Sequence, residues 1–202
     1  MPPIEKGREV VSEGGPGLTL TVRDVNGKRL DVNYKRRSWI ERDHVVPFDQ
    51  AIDYLTRMVE RYPSDEQWRA GRAAVWMRKG ELDIAIADYT ALIRLSPDSA
   101  AYHNNRGNTW SNQGDYDQAL ADYSEAIRLD PKYANVYNGI AWLRPTCSDG
   151  RYRDGAEAIR YGEKACDLTG YKEAYPLDTL AAAYAENGQY DKAVETQEKA
   201  LS

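Results

Sequence analysis

The sequence repeats itself every 34 residues through the middle of the chain. The segment RAAVWMRKGELDIAIADYTALIRLSP ends at Pro97, RGNTWSNQGDYDQALADYSEAIRLDP ends at Pro131, and a shorter match, AIDYLTRMVERYP, ends at Pro63. Individual residues keep the same offset, as Gly80 and Gly114 do. A period of this length is typical of repeat proteins in which each repeat is a pair of helices that packs on its neighbours. We therefore expect a helical repeat array.

Small residues recur at the positions where two packed helices would cross. In the first helix of each repeat they are Ala73, Gly107, Ala141 and Ala181, and in the second helix they are Ala51, Ala85, Ala119, Ala158 and Ala193. Small side chains let helix axes approach closely, and aromatic rings fill the adjoining grooves. The aromatic positions are Trp76, Trp110 and Tyr184, and Arg144 interrupts the series.

This pattern resembles the tetratricopeptide-repeat (TPR) family from about Val46 to Ser202. The stretch AWLRPTCSDGRYRDGAEAIRYGEKACDLTG with the following repeat looks like a bacterial TPR subtype found in planctomycete-like genomes. The resemblance implies an all-α, right-handed superhelical solenoid. It also implies a scaffold or adaptor that binds a protein or peptide in its concave groove, and that is not an enzyme.

The predicted organisation has three parts. Residues 1–17 are expected to be a flexible tail, residues 18–46 a small β element, and residues 47–202 the solenoid. The solenoid comprises a half repeat, 47–65, and full repeats 66–99, 100–133, 134–173 and 174–202. Nine helices are predicted, at 48–61, 66–78, 82–95, 100–112, 116–129, 134–144, 154–168, 174–186 and 190–201.

The third repeat is irregular because it carries the insert RPTCSDGRYRDG. Pro145 is expected to end the first helix of this repeat early, since proline lacks a backbone N–H. Asp154 is a suitable N-cap for the second helix. Within this region, Cys147 and Cys166 lie 19 residues apart, on helices expected to be antiparallel neighbours. They are either two small buried residues or a disulfide, which would indicate an oxidising compartment.

The β element is predicted from LTLTVRDVNGKRLDVNY, which alternates apolar and polar residues on both sides of Asn26-Gly27. Asn-Gly between alternating runs is a strong hairpin signal. The hairpin followed by WI…DHVVP resembles part of a small bacterial Src-homology-type barrel. Two roles are open for it: a cap over the unpaired first helix, or a second ligand site, for example for cell-wall peptide.

Composition narrows the function classes. The net charge is −5 and the pI is about 5.2, which argues against a nucleic-acid-binding face. No apolar run is long enough to span a membrane, and no signal-peptide core is evident. We therefore expect a cytoplasmic protein, or an exported one if the sequence is a fragment that lacks its signal.

Residues for chemistry are sparse. The two histidines, His44 and His103, have no cysteine or carboxylate at ligand spacing, so neither a metal site nor a catalytic pair is expected. No cofactor is expected either. Six aspartates cluster near predicted helix starts, where carboxylates favour the helix dipole and cap backbone N–H groups. They are Asp83, Asp88, Asp115, Asp117, Asp122 and Asp191.

The TPR resemblance implies a partner-binding face on the first helix of each repeat. The candidate contact residues are Gln67, Arg78, Asn104, Asn108, Asn112, Asn135, Asn138, Trp142 and Tyr175. Asparagine is a poor helix former, yet the spacing of four in Asn104, Asn108 and Asn112 places three on one helix face. Amides donate and accept, so such a row can hold an extended peptide backbone. Two alternatives are a solvated polar face without a ligand and a homo-oligomer formed through the carboxyl-terminal helix.

Overall fold

The structure of the protein is a computed structural model. It describes residues 9–12, 19–26, 29–32, 38–41, 45–47, 50–147 and 149–201, and it describes only the backbone of the strands and of residues 145 and 146. The chain divides into two compact units, Met1–Leu95 and Ser96–Ser202, and each is described below by itself. His44, one of the two histidines named above, lies outside the described residues.

The first unit begins with short antiparallel strands. Within the described residues they are β1 (Glu9–Ser12), β2 (Thr19–Asn26), β3 (Arg29–Val32), β4 (Ser38–Glu41) and β5 (Val45–Pro47). Their order in the sheet is β4-β3-β2-β1-β5. Asn26 at the end of β2 pairs with Arg29 at the start of β3, so the predicted hairpin is present.

The β structure starts earlier than the sequence indicated. Residues 1–17 were expected to be a flexible tail, but Val10 and Val11 lie in β1, which pairs with both β2 and β5. Adjacent β-branched residues favour an extended backbone. The strand was missed because it is short and is followed by the glycine-rich run 14–17. The capping role and the resemblance to a Src-homology-type barrel stay predictions.

Nine helices follow in the described part of the chain, as predicted. The first unit contains α1 (Ala51–Arg61), α2 (Glu66–Lys79) and α3 (Leu82–Leu95). The second unit contains α4 (Ala100–Gln113), α5 (Tyr116–Leu129), α6 (Ala134–Thr146), α7 (Gly155–Thr169), α8 (Ala174–Glu186) and α9 (Tyr190–Leu201). The fold class, a helical-repeat solenoid, is confirmed for these residues.

The turns within repeats depend on glycine. Gly80 ends α2 and Gly114 ends α4, with φ angles of +82° and +88° that L side chains rarely adopt. The backbone N–H of each glycine donates a hydrogen bond to carbonyl oxygens of the preceding helical turn. On the following helix, the Asp115 side chain accepts a bond from the N–H of Gln118, which caps α5. These local signals explain why the helix boundaries could be predicted from the sequence.

The helix crossings have the predicted close approach. A β-carbon placed on Gly107 would lie 2.8 Å from the ring of Tyr123 and 3.2 Å from the carbonyl oxygen of Ala119. Ala119 is fully buried and Tyr123 is 1% exposed. The small residue on α4 therefore leaves room for a large ring on α5, which makes this crossing part of the core.

Two of the aspartates do not cap helices as expected. Asp88 and Asp122 are buried within α3 and α5, and each accepts a two-point hydrogen bond from an arginine of the preceding helix. Arg72 reaches Asp88 at 2.8 and 2.7 Å, and Arg106 reaches Asp122 at the same distances. Nδ1 of His103 lies 3.2 Å from Asp122. These carboxylates join the two helices of a repeat, because a buried charge requires a paired partner.

The connection between α6 and α7, residues 147–154, is much longer than the glycine turns. The Tyr152 hydroxyl donates to Asp117 of α5 at 2.7 Å, and its ring lies 5.3 Å from that of Tyr116. Nη1 of Arg144 donates to the Tyr152 carbonyl at 3.2 Å. The insert is thus attached to the preceding repeat. Asp154 accepts from the N–H of Glu157 and caps α7, as predicted.

The structure overturns the expectation for Pro145 and decides between the two alternatives for the cysteines. α6 continues through residue Pro145 to Thr146 and closes with a bond from the Cys147 N–H to the Leu143 carbonyl, so the missing proline N–H costs one bond without ending the helix. Cys147 and Cys166 are free and buried, so the proposed disulfide is absent. Cys147 packs in the α5–α6 core, whereas Cys166 packs with Leu180 of α8. Antiparallel neighbours therefore need not bring their sulfur atoms together.

Alkaline pH should destabilise the protein. Burial, with the neighbouring charge of Asp88, raises the pKa of Tyr89 to about 12. In the unfolded chain this phenol ionises near its ordinary pKa of about 10, so unfolding releases a proton between these values and stability falls as the pH rises. We expect a loss of about 2 to 3 kcal/mol by about pH 12, measured by urea unfolding. The Tyr89→Phe variant should show a shallower decline, and an equal decline in both proteins would contradict this assignment.

Candidate functional site

The first helices of the three repeats in the second unit lie side by side. α4 packs on α6 and α6 packs on α8, while α5 and α7 each pack on the first helix that follows. We call the surface made by α4, α6 and α8 the first-helix face. Asn104, Asn108, Asn112, Asn135, Asn138, Trp142 and Tyr175 all lie on these three helices.

Asn108 of α4 is partly exposed and lies where α4 meets α5 and α6. Its Oδ1 accepts a hydrogen bond of 2.8 Å from the Tyr123 hydroxyl. A β-carbon on Gly139 of α6 would lie 3.0 Å from this oxygen and 3.1 Å from the Tyr123 ring. Burial, and after it the neighbouring hydroxyl of Tyr175, raises the pKa of Tyr123 above its ordinary value. Residues from α4, α5 and α6 therefore meet at this point, and Tyr175 of α8 is near enough to act on the Tyr123 phenol electrostatically.

Helical spacing extends this site along α6. Asn135 precedes Gly139 by four residues and Trp142 follows it by three, so the three positions share one side of the helix. Trp142 is 49% exposed and Tyr175 of α8 is 64% exposed, whereas Tyr123, Tyr137 and Tyr184 of the same unit are buried. Asn112 and Asn135 are exposed as well. The accessible part of the site thus combines amides with two aromatic rings.

Asn104 and Asn138 do not line the surface as expected. They are 2% and 1% exposed, equivalent in sequence by the 34-residue period, and buried between packed helices. Oδ1 of Asn104 and both amide atoms of Asn138 have no hydrogen-bond partner among the described residues. A buried polar atom without a partner costs about 1–3 kcal/mol, which apolar residues at these positions would avoid. Sequence spacing did not reveal how deeply these two residues are buried.

The first-helix face has little free positive charge. The lysine and arginine residues of α4, α6 and α8 number two, Arg106 and Arg144, and both are paired with carboxylates at 2.7 Å, Arg106 with Asp122 and Arg144 with Glu157. A ligand that depends on a terminal carboxylate would find no unpaired lysine or arginine on these three helices.

The remaining two candidates belong to the first unit. The backbone N–H and the side-chain Nε2 of Gln67 both bind the Asp65 carboxylate, at 3.2 and 3.0 Å, so Gln67 supports the cap of α2. Arg78 is an exposed residue in the last turn of α2. Both residues lie on α2, which is not one of the three helices that form the first-helix face.

Sequence reasoning missed the residues that hold Asn108 and α4 in position against α5 and α6. Tyr123, Gly139 and the ion pair of Arg106 with Asp122 position Asn108 and α4, yet none was a candidate. A signal for the ion pair was present, because Arg72 and Arg106 recur at the repeat period, as do Asp88 and Asp122. Gly139 had a signal too, since glycine within a helix is costly unless close packing requires it.

Within the described residues, no group of His, Cys, Asp or Glu side chains is placed to hold a metal ion. The buried thiols have raised pKa values because burial disfavours the thiolate, and that of Cys166 is about 11. Low thiolate content makes them poor nucleophiles. None of the helices in the described ranges is both long and apolar enough to cross a bilayer.

Family models of the tetratricopeptide repeat match residues 48–100, 100–133 and 177–202, which together cover more than half of the chain. The chain is a tetratricopeptide-repeat protein. The matches agree with the repeats, crossings and turns described above. No curated protein sequence is similar to this TPR chain.

Solved structures share the TPR fold at low sequence identity. A thermophilic TPR protein of Thermus thermophilus, TTC0263, is 19% identical with a TM-score of 0.67, and the match covers 76% of this chain and 81% of that one. A TPR protein of Parabacteroides merdae is 19% identical with a TM-score of 0.63, over 76% and 58%. MamA of Desulfovibrio magneticus RS-1 is 18% identical with a TM-score of 0.56, over 76% and 84%.

Proposed function

We propose that this TPR protein is a scaffold that binds an extended segment of a partner protein on the first-helix face of its second unit. The observation that carries the proposal is the exposure of Trp142 and Tyr175 beside a row of asparagines. Aromatic anchors surrounded by polar groups are typical of protein interaction sites. The role is one of binding, without catalysis.

The asparagines supply contacts to the partner's main chain. Asn108 uses Oδ1 for Tyr123, and its Nδ2 has no partner among the described residues, so it can donate to a peptide carbonyl. Asn112 and Asn135 offer further exposed amides on either side. Main-chain contacts of this kind give affinity with little dependence on the partner's side chains. Selectivity then rests on the two rings, which accept an apolar side chain.

The charge of the site favours an uncharged segment over an acidic one. Arg106 and Arg144 are paired, and the carboxylates on the three first helices are Asp178 and Glu186 of α8. An acidic ligand would meet these carboxylates without a free arginine or lysine to offset them. We therefore expect neutral or weakly basic segments with one large apolar residue.

A selected peptide provides the test of this function. Peptides isolated from a random displayed library on the full-length protein would be labelled, and their affinities measured by fluorescence anisotropy. In the Trp142→Ala/Tyr175→Ala variant we expect affinity to fall about 30-fold, because truncating aromatic anchors commonly costs about 2 kcal/mol. The Ile84→Ala variant removes an apolar side chain that is 42% exposed on α3, and it should bind as the unaltered protein does. Selected peptides that bind the double variant equally well would contradict the proposal.

A further inference from the structure

The last helix carries a row of residues that we call the α9 stripe, Tyr190, Val194, Gln197 and Leu201, of which all but Gln197 are exposed. Their spacing of four, three and four residues keeps them on one face. Tyr190 is 68% exposed, Val194 59% and Leu201 81%, which are among the highest exposures of large apolar residues in the structure. The stripe lies on a second helix, and Nε2 of Gln197 donates to Asp178 of α8 at 2.8 Å.

The same stripe occurs on α5, where it is covered. Aligning Ala193 with Ala119, the small residues at the helix crossing, makes the α9 stripe equivalent to Tyr116, Leu120, Tyr123 and Ile127. On α5 these four residues belong to a core that includes Val136, Ile140 and Leu143 of α6. The covering residues of α6 are again spaced by four and three residues. The protein therefore shows what kind of element fits this stripe: an amphipathic helix with the spacing of α6.

One edge of the α9 stripe is acidic. Asp191 and Glu198 are seven residues apart, so they lie on the same flank, and neither makes an ion pair with any residue that the structure describes. The lysines of α9 are engaged elsewhere. Nζ of Lys192 lies 5.2 Å from the centre of the Tyr184 ring, and Lys199 pairs with Glu195 at 2.7 Å. The stripe is thus bordered by two carboxylates that lack a counter-charge.

We propose that the α9 stripe is a docking site for an amphipathic helix of a partner protein. The partner helix carries apolar residues at positions i, i+4, i+7 and i+11, the pattern of α6, and lysine or arginine on the flank that meets Asp191 and Glu198. A second copy of this chain fits less well, because it brings the same two carboxylates and lysines that are already engaged. The proposal rests on the exposed apolar residues and carboxylates of α9 alone, so it does not depend on the function proposed above.

Two synthetic helical peptides test the proposal on the full-length protein. Both carry Val, Ile, Leu and Ala at the four apolar positions, and they differ only in having lysine or glutamate on the flank. We expect the lysine peptide to bind at least about tenfold more tightly in low salt, with the difference shrinking as salt is added. The Val194→Lys/Leu201→Lys variant should bind neither peptide. Ile84→Lys, which places the same charge on an exposed residue of α3, should bind as the unaltered protein does.

A second variant separates the apolar and electrostatic parts of the site. Asp191→Asn/Glu198→Gln should retain binding of both peptides and lose the preference for lysine. Circular dichroism would establish that each variant keeps its helical content. Failure of both peptides to bind, or binding that survives Val194→Lys/Leu201→Lys, would overturn the proposal. So would a dimer in sedimentation equilibrium that this variant abolishes, since the occupant would then be a second copy.

Discussion

Replacing Asp122 with alanine should lower the free energy of unfolding by about 3 kcal/mol. The substitution leaves the charged Arg106 side chain without its partner in a poorly solvated environment. Asp122 is 5% exposed, and Arg106 binds it through two hydrogen bonds of 2.8 and 2.7 Å. The arginine side chain is 21% exposed, so water replaces the lost carboxylate only in part. Urea unfolding followed by circular dichroism would measure the loss.

The exposed pair of Glu125 and Arg128 provides the control. These side chains also meet at 2.7 Å, but they are 36% and 66% exposed, so solvent screens their attraction. Glu125→Ala should leave the unfolding midpoint nearly unchanged. If Asp122→Ala proved as mild as Glu125→Ala, the buried pair would not have the structural role that its geometry indicates.

Replacing Tyr123 with alanine should be the most damaging single change, with a loss of about 4 kcal/mol from the cavity that it leaves. The ring is 1% exposed, lies close to Gly107 and Gly139, and shares a core with Ala119. Tyr123→Phe keeps the ring and removes only the bond to Asn108, so it should cost about 1 kcal/mol. Urea unfolding would measure both variants.

Tyr190 is the matched control for this tyrosine. It lies on the equivalent second helix, α9, but is 68% exposed, so Tyr190→Ala should change stability little. The Tyr123→Phe variant has a further use, since it frees Asn108 while the core stays filled. A loss for Tyr123→Ala no larger than that for Tyr123→Phe would show that ring packing at Gly107 contributes little.

The helices could be predicted from the sequence because their signals are local. Gly80 and Gly114 end their helices at positive φ, and Asp115 and Asp154 start the next ones, so each boundary depends on one or two residues. The period of 34 residues then showed which helices are equivalent in successive repeats. β1 was not predicted, because a strand of four residues carries too little sequence signal to be recognised without the strands that it pairs with.

The candidate site was predicted less completely, because exposure depends on neighbouring helices. Helical spacing predicted that Asn104, Asn108 and Asn138 would all line an accessible face. It could not show that α6 and its neighbours bury two of them while Asn108 stays reachable. Likewise, Asp122 was grouped with the aspartates near helix starts although it lies in the middle of α5, and only the approach of Arg106 from α4 reveals its role.

The ion pairs within repeats also bear on how the chain folds. Arg72 and Asp88 are 16 residues apart in sequence, and so are Arg106 and Asp122. Each pair can form as soon as one helical hairpin closes, without waiting for a distant part of the chain. Closing so short a loop carries a small entropic cost, and chains dominated by such contacts fold rapidly. Each of these two hairpins is therefore expected to act as a starting point from which neighbouring repeats add one at a time.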